Sequence, residues 1–194
     1  MGLQPCSDLS PSTWLVDSQE DSDRLISVGP DGFPAYARLR FLPDPTAPGQ
    51  SEPVVRDPDH PTHVSRVQHA LHVLVAFTTT PSEAYFCRWD GYEDLGLPPG
   101  WPLVDIPPQS PIRSFALHRG QVADIDHWGE PWGQPGDAPP AFAWPADHAW
   151  CFTHDVDPHW AVIAASQPAV DALLATPDLD VVQVLPTDEM PTYY

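Results

Sequence analysis

The sequence predicts a single α+β domain over residues 1–194, built on a mainly antiparallel sheet with two or so helices and Pro-rich packed loops. Three observations lead there. Segments in which apolar and polar residues alternate outnumber those with helical spacing. A short Asp157-Pro158 turn joins two strand-like segments, and so brief a connection permits only antiparallel pairing. Finally, 194 residues with 42% hydrophobic content and eight Trp can bury one sizeable core, since a chain of this length hides on the order of 70% of the surface its unfolded form exposes. Residues 1–20 are expected to be loosely ordered.

The elements follow in chain order. From Ala35 to Leu42, Ala35, Ala37, Leu39 and Phe41 alternate with Tyr36, Arg38, Arg40 and Leu42, the period of a strand with one apolar face. Gly29-Pro30-Asp31-Gly32 is the turn that feeds it. Between His63 and Phe77, Val64, Val67, Leu71, Leu74 and Val75 recur at helical spacing, with Arg66, Gln68, His69 and His72 on the rest of the wheel. Ala84–Trp89 reads as a buried strand ended by Asp90-Gly91, and Ile112–His118 as another ended by Gly120. Beyond Pro145 come a strand over Trp150–Val156, the Asp157-Pro158 turn, a strand over Trp160–Ala165, a helix over Pro168–Ala175 behind a Ser166 cap, and a strand over Val181–Leu185. This is a β-β-α-β ending.

The 27 prolines gather in three clusters, Pro43 to Pro61, Pro98 to Pro111 and Pro131 to Pro145. Proline lacks the N–H that helices and interior strands need, so these clusters are expected to be coil. Trp101, Trp128, Trp132, Phe142 and Trp144 lie in or beside them, which argues for coil packed onto the body rather than free linker.

Charge narrows the chemistry. Against 27 acidic residues stand 8 basic ones, all of them Arg, for a net charge of -19. Without lysine there is no P-loop lysine, Schiff base or lysine general base. The acid excess repels phosphate backbones, so direct nucleic-acid binding is not expected. Cys6, Cys87 and Cys151 are too few and too scattered for a disulfide framework or a CxxC site. No basic segment followed by an apolar run opens the chain, and no stretch approaches the roughly 20 apolar residues of a membrane span. A cytoplasmic location is therefore expected, with no cofactor and no membrane partner.

Three blocks of the chain carry a resemblance. Gly32-Phe33-Pro34-Ala35-Tyr36-Ala37-Arg38-Leu39-Arg40-Phe41 is the first. Thr78-Thr79-Thr80-Pro81 leading to Phe86-Cys87-Arg88-Trp89-Asp90-Gly91-Tyr92 is the second, and Trp144-Pro145-Ala146-Asp147-His148-Ala149-Trp150-Cys151 the third. Together they resemble an uncharacterised family of acidic proteins from high-GC actinobacteria. The resemblance implies a compact bacterial intracellular domain and brings no activity, substrate or catalytic residue with it.

Candidate sites come from residue chemistry. His148, His154, Asp155, Asp157 and His159 fall within twelve residues, and imidazole with carboxylate is the ligand set of zinc and non-haem iron. His154, Asp155 and His159 are also the candidate catalytic groups. Strand alternation divides the set, however, and the competing reading has Asp155 and Asp157 hydrogen-bonding the turn's own amides. A second group, His60, His63, His69 and His72 with Asp57 and Asp59, falls at and along the amphipathic helix; on its polar side it reads as solvated surface, with a metal site as the alternative.

No Gly-x-Ser-x-Gly elbow is present, and Cys87 and Cys151 sit in apolar strands where a thiol behaves as a small hydrophobe. Arg38 and Arg40 share one strand face with Tyr36 and could clamp an anionic ligand, with Trp144 as a further candidate lining residue. The alternative is that the two arginines pair with carboxylates of the chain itself. Two function classes remain. One is a non-catalytic acidic interaction or inhibitor (immunity-like) module docking on a basic protein partner. The other is a small enzyme or ligand-binding protein with a Trp-lined cleft and a His/Asp hairpin site.

Overall fold

The computed structural model describes residues 2–54, 61–92, 96–130 and 138–194. Nine strands, β1 (Gln4–Pro5), β2 (Ala35–Arg40), β3 (Ala84–Trp89), β4 (Val104–Ile106), β5 (Arg113–Gly120), β6 (Phe142–Pro145), β7 (Cys151–Thr153), β8 (Trp160–Ala165) and β9 (Val181–Val184), form one sheet. Its order is β1-β5-β3-β6-β7-β8-β2-β9, with β4 also paired to β5, and every pairing is antiparallel. The helices among the described residues are α1 (Thr13–Val16), α2 (Ser22–Val28), α3 (His63–Leu74) and α4 (Gln167–Ala175), with 3-10 turns at Ser10–Ser12 before α1, Val75–Phe77 after α3 and Val122–His127 between β5 and β6. The protein is thus an α+β domain, and none of its described helices is long and apolar enough to cross a membrane.

Both faces of the sheet are covered. Ala35, Ala37, Leu39 and Phe41 of the β2 segment point to one face, where Val67, Leu71 and Leu74 of α3 and Val170 and Leu173 of α4 close over them together with Phe152 and Trp150. Thr62 caps α3 by accepting from the Ser65 N–H at 3.0 Å, and Ser166 likewise receives the Ala169 N–H. On the opposite face Tyr36, Cys87, Phe115, Trp144 and Val162 pack under Leu15 of α1 and Leu25 and Ile26 of α2. The N-terminal segment, expected to be loose, places Leu3, Cys6 and Leu15 among the buried residues.

Several expectations are corrected. The second and third Pro clusters are not coil throughout: β4 lies inside one, and β6, flanked by β3 and β7, lies inside the other. Proline spares them because Pro139 and Pro140 precede β6 and Pro145 ends it, leaving Phe142, Ala143 and Trp144 free to pair. The strand expected over Trp150–Val156 stops at Thr153, and the helix expected to Phe77 tightens to a 3-10 turn at Val75. Within residues 2–20, the 3-10 turn at Ser10–Ser12 and α1 form regular structure. Gly29 adopts φ 92° beneath β7, where a Cβ would come within 2.5 Å of Thr153 Oγ1.

Candidate functional site

A polar cluster lies where the β2 end, the segment entering β8 and the last residues meet. Arg38 is 5% exposed and grips Asp44 with both terminal guanidinium nitrogens, Nη1 and Nη2, at 2.6 and 2.7 Å. Arg40 donates to Asp44 at 3.1 Å and, through Nε, to Asp180 at 3.0 Å. Burial would push the Asp44 carboxyl up, but the hydrogen bonds from Arg38 and Arg40 hold it below the ordinary range. The arginines are thus occupied by the chain's own acids, the reading opposed to the anion clamp. Tyr36, also buried, donates its hydroxyl to Pro30 C=O at 3.0 Å. Trp144 is three strand spacings away, about 14 Å, between Trp14 and Tyr85 at ring distances of 5.9 and 5.8 Å.

The His/Asp hairpin is dispersed by its own geometry. His148 sits in the β6–β7 turn at φ 52° and stacks on Trp14 at 4.4 Å, at the opposite end of β7 from His154. His154 is buried on the α3 side, edge-on to Phe41 at 5.3 Å, and burial, reinforced by the nearby His63, holds its pKa down at about 3. Asp155 accepts from Arg113 Nε at 3.3 Å and from the Val156 N–H at 2.8 Å, so it does bond the turn's own backbone. Asp157 is largely exposed, 3.7 Å from the same guanidinium. His159 turns instead to Asp44, at 3.6 Å, and packs its ring, tilted by 57°, against Tyr193 at 4.5 Å. Burial lowers its pKa and Asp44 opposes that. No three His, Cys, Asp or Glu among the described residues come together as a metal donor set.

Beside His159 lies a cleft of about 200 Å³ lined by Glu52, Asp157, Pro158, Thr192, Tyr193 and Tyr194. It contains no tryptophan. Its wall is built by the C-terminal residues, pinned by the Tyr193 hydroxyl donating to Pro43 C=O at 2.6 Å and by the Trp160 indole donating to Pro191 C=O at 2.8 Å. Sequence reasoning missed Asp44, Asp180, Glu52 and Tyr193. The only available signal for the first two was that a buried Arg pair requires carboxylates, which does not choose among 27.

The remaining candidates are scattered. His63 stacks on Phe41 at 4.5 Å, while His72 is half exposed and meets Asp126 at 3.1 Å. Asp57, Asp59, His60 and Trp132 lie outside the described residues. Cys87 and Cys151 are free, fully buried thiols, and burial drives the Cys151 pKa up to about 12 and that of Cys87 well above its ordinary value. No protein-family model matches this chain, nor does any curated protein or solved structure.

Proposed function

We propose that the protein is a non-catalytic acidic interaction module, of the inhibitor or immunity type, that docks on a basic protein partner. One observation carries this reading: four of the eight arginines are committed to the chain's own carboxylates. Arg24 holds Glu20 and Asp31, Arg38 and Arg40 hold Asp44 and Asp180, and Arg113 holds Asp155. Glu83, Asp171, Asp178, Asp188 and Glu189, by contrast, are exposed and form no ion pair among the described residues. An approaching partner therefore meets mostly carboxylate, and a field of one sign accelerates encounter with a basic surface. Partner capture from the source cell, followed by reconstitution with the purified partner, tests it. The expected result is a stoichiometric complex with a basic protein that weakens at least tenfold when salt is raised from about 50 to about 500 mM. A complex insensitive to salt, or a partner without basic excess, would sink the reading.

The cleft beside His159 favours a second reading, a small ligand-binding protein or enzyme. The buried His159–Asp44 contact and the two tyrosines supply it with polar and aromatic contacts. Thermal shift across a panel of small cationic and neutral metabolites, compared with the Tyr193→Ala variant, separates it from the first. Stabilisation abolished by that substitution would support it.

A further inference from the structure

From the outer edge of β9 we infer a docking strip for an extended Lys/Arg-rich segment of a protein partner, which would add to the sheet as a tenth strand. This rests on the acidic-module reading and specifies where and how it binds. Among the described residues β9 ends the sheet and pairs only with β2, in the register Tyr36↔Val184, Ala37↔Gln183, Arg38↔Val182 and Leu39↔Val181. The Arg40 N–H donates to Asp180 C=O at 2.8 Å, which makes Arg40–Asp180 a hydrogen-bonded pair. Antiparallel pairs alternate, so Val182 and Val184 also turn their backbone groups to β2, while Val181 and Gln183 direct theirs outward. Among the described residues nothing pairs with those outward groups.

An open edge is ordinarily blunted by lysine, proline within the strand or a covering loop. Here Val181-Val182-Gln183-Val184 has none of the first two, and every residue of it keeps some solvent exposure. What surrounds the strip selects its occupant. Asp178 precedes it, Asp188 and Glu189 follow it, all exposed and outside any ion pair among the described residues, and Leu185, 63% exposed, adds apolar surface at its end. Two copies of this chain meeting edge to edge would bring these carboxylates together, on chains that each carry -19. A segment with alternating basic and apolar side chains satisfies all three features: backbone pairing, acid and apolar surface.

The test uses a synthetic peptide of alternating Lys and Val, about eight residues long, and its analogue N-methylated at every other amide, which keeps the charge but loses the pairing edge. On the protein side Gln183→Pro removes one outward N–H without touching the β2 ladder. The expected result is binding of the plain peptide by the native protein, at least about tenfold weaker for the methylated peptide and for Q183P. Protection of the Val181 and Gln183 amides from hydrogen exchange on peptide binding should accompany it. Equal binding of the two peptides would overturn the strip while leaving the acidic-module reading intact, because attraction would then be charge alone. Absence of binding by either peptide would also overturn the strip, and the reconstituted complex described above would then judge the module by itself. A native dimer that Q183P converts to monomer would assign the edge to a second copy instead. Because the methylated peptide is tested on unaltered protein, misfolding of Q183P cannot decide the outcome.

Discussion

The two faces of the sheet bury side chains of similar size by different means. On the α3 and α4 face Trp150 is fully buried and its indole donates to Leu74 C=O at 3.2 Å. Its neighbours are apolar, and the imidazoles that enter, His154 and His118, are held neutral by burial, with pKa values of about 3 and about 4. On the other face Trp144 is equally buried, yet its indole N–H has no hydrogen-bond partner among the described residues. That face admits a charge, the Arg38 guanidinium, by closing Asp44 over it. One face holds its buried imidazoles neutral and the other buries a guanidinium as a compensated pair, so the two should fail in different ways.

The largest expected effect comes from breaking the compensated pair. Asp44→Ala leaves Arg38 buried with its main counter-charge gone and should cost about 3–5 kcal/mol in urea unfolding. A loss below about 1 kcal/mol would mean that water reaches Arg38 freely. The next is acid titration of the α3 and α4 face. His118 and His154 have folded pKa values below the ordinary 6.5, so the unfolded chain binds more protons and stability falls as pH drops from about 6.5 toward those values. Each should contribute a loss of about 1 kcal/mol between about pH 7 and 5.5. His154→Gln, which cannot titrate, should remove about half of the slope; an unchanged slope would place the titration elsewhere.

A smaller effect sharpens the comparison directly. Trp150→Phe loses a hydrogen bond as well as volume, whereas Trp144→Phe loses volume and an unpaired donor. The first should therefore cost about 1 kcal/mol more than the second, and equal costs would contradict the distinction between the faces. Smallest of all, Asp157→Asn removes an exposed, 3.7 Å contact with Arg113 and should change stability by less than about 0.5 kcal/mol.

Much of this was legible before any coordinates. Alternation in Ala35–Phe41 assigns the two faces of β2, and the helical spacing of Val64, Val67, Leu71 and Leu74 selects the side of α3 that is buried. The site was less so. His154 and His159 are five residues apart, yet one packs against Phe41 and the other against Asp44, because β7 stops at Thr153 and the chain turns between them. Proximity in sequence reported a cluster that the turn takes apart. In the opposite sense, Arg40 and Asp180 are 140 positions apart and meet only because β9 lies beside β2.

Composition and periodicity by themselves determined the class of the fold, the absence of lysine chemistry, the anionic surface and the burial of Cys87 and Cys151. Each of these is a local or summed property, settled by the residue and its near neighbours. Tertiary structure alone decided that β4 and β6 form within Pro-rich sequence, which carboxylate compensates Arg38, and which strand is left at the open edge. Those depend on strand order, and pairing energy between distant segments is not written in the periodicity of either one.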